Sequence, residues 1–335
     1  AAVADPGAET GAPPAASARP PAPSPGASPP AAAAPDPGAE TPAAPDAEAA
    51  GFAPEALPPA ADAPGPLRPA WRRPDALDRV AARGVLRLGH RRDAPPFSYL
   101  GPDDAPAGLA VALCGAVAAD VFAAAGLDPD RARVAWVPVS AAERFGALES
   151  GRTDLHCGPT TQTLTRRRRV DFSIPWFVDG AGLVFRAGGP ERLADLTDDR
   201  VGVLAGTTTE DLARRLLARR APRARLVAYP SHVAGLTALQ QGEIELYMGD
   251  RSILLYQLGA LRPSVMPVIS PRTFSREPYA IAMRRGETRL RLAVDRALSR
   301  LFATGGMREL TAAALGRVEV GPEVEAIYEV VTIPD

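Results

Sequence analysis

The sequence contains no lysine and no asparagine, so all 38 of its basic residues are arginine. Without lysine the chain cannot form Schiff bases or complete a phosphate-binding P-loop, and without asparagine it has no N-glycosylation acceptor. No run of 18 apolar residues is present, so we expect no membrane-spanning helix. The three histidines are too scattered to predict a zinc site. We therefore expect no metal, no cofactor and no catalytic residue.

The first 70 residues differ in composition from the rest of the chain. They contain 26 alanines and 19 prolines, and 8 acidic residues against 2 arginines. The apolar side-chain surface that these residues could bury is too small to offset an ordering entropy of about 1–2 kcal/mol per residue. The sequence predicts a disordered Pro/Ala-rich tether over 1–70, either inert or a functional spacer, followed by enough chain for two compact units.

From about residue 75 onward, short apolar strands alternate with helices, which predicts an α/β protein with mostly parallel sheets. The first helix starts near Asp75, and Gly84 is placed to end it. We predict strands over 85–89, 133–139, 154–157, 201–204, 226–229, 245–248 and 279–283. We predict further helices over 113–125, 141–149, 207–219, 233–241 and 290–302.

Thr207 opens the helix with the clearest start signal, because Thr207 and Glu210 fit a capping box. Helix N-termini leave N–H groups unpaired and carry partial positive charge, which suits a carboxylate or a phosphate. The same pattern is also satisfied by a simple helix cap.

Four consecutive arginines, 166–169, follow a Thr-rich stretch that begins after Gly158. Successive helical residues are rotated by about 100°, so the four cannot all face one ligand. We expect Arg166, nearest the threonines, to point inward and the others to be solvated. No aromatic residues interleave with the run, which argues against a nucleic-acid partner.

Two further features have more than one interpretation. Cys114 and Cys157 are the only cysteines, and they form either one disulfide or two buried thiols; an exported chain favours the disulfide. Asp250 stands at the carboxyl end of a predicted strand, where α/β sheets place ligands, but it could equally cap the next helix.

From about 75 to 315 the chain resembles the periplasmic solute-binding proteins of polar-amino-acid ABC transporters, most closely the glutamate/aspartate type. Each matching motif is weak alone, but their order and spacing over some 240 residues make the resemblance specific. In chain order, the motifs are GVLRLGHR (84–91), PPFSY (95–99), LESG (148–151) after Arg144, DLHCGPTT (154–161), VDFS (170–173), AGTTTE (205–210), MGD (248–250) and SREPY (275–279).

The resemblance implies a two-lobe periplasmic-binding-protein fold of type II, in which two hinge strands join the lobes and an amino acid binds between them. We expect a discontinuous lobe 1 over 75–181 and 276–316, a lobe 2 over 182–275, and a C-terminal tail over 317–335. The crossovers are expected near 177–185 and 276–283.

The resemblance also implies a ligand site. Arg166, with Thr161 and the N–H groups of Thr207 and Thr208, would hold an α-carboxylate, and Thr160 belongs to the same ligand set. Asp250 would hold the α-ammonium group. Further basic groups would receive a side-chain carboxylate; these are Arg91, Arg144 and His232. Arginine pairs with carboxylates through two hydrogen bonds, so this set suits a glutamate-like ligand.

Two positions depart from the family pattern, since Pro159 and Ala141 stand where a serine is usual. Pro159 removes both a hydroxyl and an N–H donor. The ligand therefore remains open among aspartate, glutamate, an amide and another dicarboxylate.

The favoured function is a monomeric, exported, periplasmic binder, its signal already removed, that delivers an amino acid to an inner-membrane ABC permease. An enzyme of the dehydratase kind would need a general acid or base in the cleft, and only His232 and Asp250 are candidates. A sensory ligand-binding domain is the third hypothesis.

Overall fold

The structure is a computed structural model that describes residues 74–263, 265–315 and 321–334. The predicted tether, 1–70, lies outside the described residues. The strands are β1 Val85–His90, β2 Asp93–Ala94, β3 Ser98–Leu100, β4 Pro106–Ala107, β5 Arg133–Pro138, β6 Leu155–Cys157, β7 Val170–Asp179, β8 Ala181–Phe185, β9 Arg200–Leu204, β10 Arg225–Tyr229, β11 Leu246–Asp250, β12 Val268–Ile269 and β13 Glu277–Arg284. The helices are α1 Ala76–Arg83, α2 Leu109–Ala124, α3 Arg144–Ser150, α4 Leu164–Arg167, α5 Thr208–Arg220, α6 His232–Gln240, α7 Arg251–Leu261, α8 Thr288–Thr304, α9 Gly306–Leu315 and α10 Pro322–Val331.

Two five-stranded mixed sheets organise the described chain. The first has the order β5-β1-β6-β13-β7, and the second has the order β10-β9-β11-β8-β12. In both, the three strands on one side are parallel, as expected from the strand–helix alternation, whereas the remaining pairings are antiparallel. We call each sheet with its helices a lobe: lobe 1 contains the first sheet and lobe 2 the second.

The chain passes between the sheets twice. It leaves the first sheet after β7 and enters the second at β8, with Gly180 between them. It returns between Ile269 and Glu277, ahead of the crossover expected near 276–283. The reason is that β13 pairs antiparallel with β7 from its first residue, which assigns the whole strand to the first sheet.

Both sheets are covered by helices whose apolar residues form the cores. In lobe 1, α1, α2, α8, α9 and α10 pack against one face of the sheet, and α3 contributes to a smaller cluster. In lobe 2, α5 covers one face while α6 and α7 cover the other. Every strand and helix predicted from the sequence is present, with boundaries that differ by a few residues.

Local sequence signals explain where several helices begin and end. The Asp75 side chain accepts from the N–H of Asp78 at the start of α1, and Gly84 ends that helix at a φ of +69°. Gly108 precedes α2 at a φ of +108°, and a Cβ there would lie 2.6 Å from the backbone of Phe97. Only glycine therefore allows α2 to start so close to that loop.

Cys114 and Cys157 form a disulfide, which confirms the pairing favoured by the sequence. Their Cα atoms are 6.0 Å apart. The bond ties the buried helix α2 to the end of β6, immediately before the Thr-rich stretch. Among the described helices, none combines the length and apolarity needed to cross a membrane.

The region treated as a C-terminal tail contains the helix α10. Val324 and Tyr328 of this helix are buried in the lobe 1 core, and the Tyr328 ring stacks on Phe302 with centroids 4.9 Å apart. This part of the chain therefore adds to the hydrophobic core of lobe 1.

Candidate functional site

A small cleft lies between the carboxyl ends of the parallel strands of the two lobes. Ligands of open α/β sheets bind at such strand ends, because the loops that follow the strands meet there. The lining residues are Arg91, Arg144, Pro159, Thr161, Arg166, Leu204, Thr207, Thr208, His232, Asp250 and Ile253. Every residue in the predicted ligand set lines this cleft except Thr160.

Thr160 is fully buried and does not line the cleft. Neighbouring Thr161 forms a bridge to Tyr279, and in such an extended segment successive side chains point to opposite sides. Thr160 takes part through its backbone instead, since its carbonyl accepts from the N–H of Ala280. The sequence placed Thr160 in the ligand set, and the structure does not bring it to the wall of the cleft.

Arg166 is the member of the arginine run that faces the cleft, as the sequence predicts, while the other three are exposed. Thr163 caps the short helix α4 by accepting from the Arg166 N–H. This cap places the guanidinium so that Nη1 donates to the carbonyl of Thr161 at 2.9 Å. The Phe145 ring lies 5.4 Å from the Arg166 guanidinium carbon.

Arg144 and Arg91 line the same wall and are each only 2% exposed. Arg144 starts α3, and its guanidinium donates to the carbonyl of Ala141 and, across the cleft, to that of Gly206 at 3.3 Å. Arg91 follows β1 and forms an ion pair with Asp93, 2.6 Å from Nη2 to Oδ1.

We call Arg91, Arg144 and Arg166 the cation cluster; all three belong to lobe 1. Within the described chain, no carboxylate forms an ion pair with Arg144 or Arg166, and the Arg144 Nε has no hydrogen-bond partner. Burial, followed by repulsion from Arg166 and Arg91, lowers the pKa of Arg144 well below its usual range. The cleft therefore holds buried positive charge that its own residues leave incompletely compensated.

His232 lies at the start of α6, where Ser231 caps the helix, and is 3% exposed. Burial, followed by the nearby charge of Arg91, lowers the pKa of His232 to about 4. The imidazole is therefore neutral at pH 7, with one N–H donor to offer. Its Nδ1 is 3.2 Å from the hydroxyl of Tyr247. The sequence assigned His232 to the basic groups that would receive a side-chain carboxylate; because burial disfavours protonation, it can offer that carboxylate a hydrogen bond but no charge.

The N-terminus of α5 reaches the cleft at Thr207 and Thr208. Thr207 Oγ1 accepts from the Glu210 N–H at 3.2 Å, as a capping box requires. Glu210, however, accepts from the N–H of Gly206 instead of that of Thr207. Half of the predicted box is present, and the first helical N–H groups have no intrahelical partner, which leaves them free for an anion.

Asp250 ends β11 and stands at the N-cap position of α7, yet its side chain does not cap that helix. Asp179, at the end of β7, takes that role by accepting from the Ser252 N–H. The Asp250 carboxylate accepts instead from Thr209 Oγ1 at 3.2 Å and from the Tyr279 hydroxyl at 2.7 Å. The interpretation of Asp250 as a simple cap is therefore excluded.

Asp179, Asp250 and Glu277 form a second group, which we call the acid cluster. Burial, followed by repulsion from Glu277 and Asp179, raises the pKa of Asp250 to about 7. Burial also raises the pKa of Asp179. The Tyr279 hydroxyl approaches both Asp179 and Asp250, so this tyrosine links the cleft to both hinge strands.

Glu277 received no role from the sequence, and neither did Asp179 or Tyr279. Glu277 is 2% exposed and accepts hydrogen bonds from Thr161 of lobe 1 and Thr208 of lobe 2. The signal was present, because Glu277 opens strand β13 and the next six residues carry no charge, so a buried acid there needs polar partners. The identity of those partners depends on the closure of the lobes and could not be inferred.

The lining side chains leave a free volume of about 10 Å³. This is near the smallest space that holds one water molecule, on the order of 10–15 Å³. Entry of any larger molecule therefore requires the lining side chains or the lobes to move apart.

Two lobes that present polar loops to a shared cleft define a two-lobe binding protein of the type II periplasmic class. A solved structure titled as an ancestral arginine-binding protein bound to arginine has the same fold, with a TM-score of 0.62 and 26% identity, covering 70% of this chain and 99% of that one. The family model of the bacterial extracellular solute-binding proteins, family 3, matches residues 86–317. The chain belongs to this family.

Individual relatives differ in the solute that their names record. The glutamate/aspartate import solute-binding protein of Escherichia coli (strain K12) is 26% identical over 231 residues, which are 68% of this chain and 76% of that protein. The L-cystine-binding protein TcyJ of the same strain is 26% identical over 238 residues, covering 70% and 84% of the two chains. Similarity at this level establishes the class of extracellular solute-binding protein, and the solute has to be argued from the cleft.

Proposed function

We propose that this chain is the extracytoplasmic amino-acid-binding component of an ABC importer, and that it binds an acidic amino acid, glutamate or aspartate, between its lobes. The observation that carries this proposal is the cation cluster. Arg91 and Arg144 are buried and Arg166 is half-buried, and neither Arg144 nor Arg166 has a carboxylate partner among the described residues. A ligand with two carboxylates would supply the missing partners.

Each ligand group has a candidate partner in the cleft. Arg166 and the free N–H groups at the start of α5 suit the α-carboxylate, and Asp250 suits the α-ammonium group. Arg144 and Arg91 lie where a side-chain carboxylate could reach them, and the neutral His232 would add one hydrogen bond. An arginine ligand would instead bring a further cation to the repelling pair of Arg144 and Arg91, which disfavours it.

The family and the disulfide support the wider role that we propose. The glutamate/aspartate import protein of E. coli is one of the relatives, and a disulfide persists in an oxidising compartment such as the periplasm. We therefore place the protein in the periplasm, as a monomer that delivers its ligand to an inner-membrane permease. Binding at the interface of two lobes lets the ligand stabilise the closed state.

Isothermal titration of the protein against the twenty common amino acids tests the proposal. We expect the largest affinity for glutamate or aspartate, weaker binding of glutamine and asparagine, and no binding of arginine. Absence of heat with all twenty would overturn the amino-acid assignment. Tight binding of arginine or cystine, with none of the acidic amino acids, would overturn the acidic specificity alone.

A dehydratase-like activity and a sensory role make different predictions. We expect amino acids incubated with the protein to be recovered unchanged, whereas an enzyme would convert its substrate. We also expect the gene to neighbour a permease gene, whereas a sensor would neighbour a kinase gene. Recovery of a product, or a kinase neighbour without a permease, would contradict the import role.

A further inference from the structure

Glu277 joins four structural elements through one buried carboxylate. Its Oε2 accepts from the hydroxyls of Thr161 and Thr208, which lie on opposite sides of the cleft. Its Oε1 accepts from Ser275 Oγ at 2.8 Å, and that hydroxyl accepts from the N–H of Ala181 at 2.9 Å. Both hinge crossings and both lobes thus meet at this side chain.

These hydrogen bonds determine where two hydroxyl groups that line the cleft donate their protons. A threonine hydroxyl has a single proton, and an ionised carboxylate only accepts. Because Thr161 and Thr208 each donate that proton to Glu277, their oxygens can offer only lone pairs to a ligand. The two oxygens are 3.5 Å apart, so they form one patch of hydrogen-bond acceptors.

Asp250 lies beside this patch and also only accepts when ionised. It is held by Thr209, the residue after Thr208, and interacts electrostatically with Glu277. An α-ammonium group carries three N–H donors, which is the number of acceptor groups that Thr161, Thr208 and Asp250 provide. A carboxylate at the same place would face only acceptors and negative charge.

We propose, on the basis of the amino-acid-binding function above, that Glu277 is a positioning residue that makes Thr161 and Thr208 hydrogen-bond acceptors and so selects ligands with a primary α-ammonium group. The hydroxyl of Thr161 then belongs to the ammonium side of the site, not to the α-carboxylate side where the sequence placed it. Dicarboxylic acids without the amino group are rejected because the acceptors would remain unpaired.

The test compares L-glutamate with glutarate, which lacks only the amino group, in the wild type and in Glu277→Gln. The glutamine amide keeps the shape of the side chain but can donate to a threonine hydroxyl, which frees that hydroxyl's proton to face the cleft. We expect glutamate affinity to fall about tenfold, the size of one hydrogen bond to a charged group, with glutarate affinity unchanged or increased. Affinities are measured by calorimetry, or by the ligand-induced rise in melting temperature at millimolar ligand where binding is weak.

Glu287→Gln is the matched control. Glu287 is also a buried glutamate, but it binds Arg79 and the Ala76 N–H, and it does not line the cleft. We expect it to leave both affinities unchanged. Thr208→Val provides a second variant in case Glu277→Gln does not fold, because it removes one acceptor and leaves the Glu277 charge. It should weaken glutamate binding and spare glutarate binding.

Equal losses for both acids in Glu277→Gln would mean a purely structural role and would overturn the inference, as would an unchanged glutamate affinity. If another amino acid gives the largest heat with the wild type, that amino acid and the acid lacking only its α-amino group replace the two probes. If the wild type binds no amino acid, the proposed function fails together with this inference. If the wild type binds an amino acid but Glu277→Gln does not change the amino-acid affinity relative to that of the acid without the amino group, this inference alone fails.

Discussion

The cation cluster and the acid cluster lie side by side but differ in how they are held. The three arginines all belong to lobe 1, and their hydrogen bonds go largely to backbone carbonyls. The acids lie on the hinge strands and lobe 2, and they are joined by the hydroxyls of threonine and tyrosine side chains. Glu277 and Asp250 attract Arg166, and Asp250 attracts Arg144. This attraction does not offset burial, since the pKa of Arg144 is lowered and that of Asp250 is raised.

This difference explains how a zwitterionic ligand would favour closure of the two lobes. Each cluster is unfavourable alone because buried like charges repel and lack water. A ligand with an ammonium group and carboxylates would pair with both clusters at once. It would thereby join the arginines of lobe 1 to the acid of lobe 2, which favours the closed state over the open one.

Removing a single member of either cluster should have the largest effect on amino-acid affinity. We expect Arg166→Ala and Asp250→Ala each to weaken amino-acid binding by about 100-fold or more, the cost of leaving a buried charge without its partner. Isothermal titration measures the loss, and circular dichroism checks that both variants fold. Arg168→Ala is the control, because Arg168 belongs to the same run but is exposed. If either variant gives nearly the binding heat of the wild type, the substituted residue does not belong to the ligand site.

Lowering the pH should weaken amino-acid binding through the acid cluster alone. Asp250 has a pKa of about 7 and is faced by Asp179, Glu277, Tyr279 and Thr209. Below pH 7 a ligand ammonium has to displace a proton from Asp250, so we expect amino-acid affinity about tenfold weaker at pH 6 than at pH 8. Titration calorimetry at both pH values, at one ionic strength, measures the ratio.

His232 should not contribute to this pH dependence. With a pKa of about 4, it is neutral throughout the interval from pH 6 to pH 8. Equal affinity at pH 6 and pH 8 would show that the ammonium group is held elsewhere. An affinity that rises as the pH falls would indicate that protonation of the cleft favours the ligand.

The smallest expected effect is on the stability of the ligand-free protein. The pKa of Asp250 is about 7 in the folded state and 3.8 in a model compound, so this group favours folding least above pH 7. We expect Asp250→Asn to stabilise the ligand-free protein by on the order of 1–3 kcal/mol at pH 8. At pH 4, where the acid is already protonated in the folded state, the gain should vanish. Melting curves at the two pH values test this, and a variant less stable than wild type at pH 8 would contradict it.

The sequence was most informative where one short signal decides the structure. Alternating apolar segments predicted the strands and helices, and Gly84 predicted a helix end because glycine adopts the left-handed conformation readily. The place of Asp250 at the end of a strand could be inferred from the sequence pattern. Its grouping with Arg166 and His232 in one site was implied by the family resemblance, and all three line the same cleft.

Features that depend on contacts across the fold could not be predicted. The role of Glu277 needs Thr161 and Thr208 to meet, and these residues belong to different lobes. The pKa of His232 depends on its burial, which the sequence does not report. The helix α10 did leave a signal, because Val324, Ile327, Tyr328 and Val331 follow helical spacing. Its packing surface, however, is built by α8 and by the strand β7, which is far away in sequence.

The small free volume of the cleft determines how fast a ligand can exchange. A space that holds at most one water molecule cannot admit an amino acid, so the closed molecule has to open before binding and before release. The observed association rate should therefore level off at high ligand concentration, at the rate of opening. A membrane partner that holds the two lobes apart would then release the ligand without competing for a single contact in the cleft.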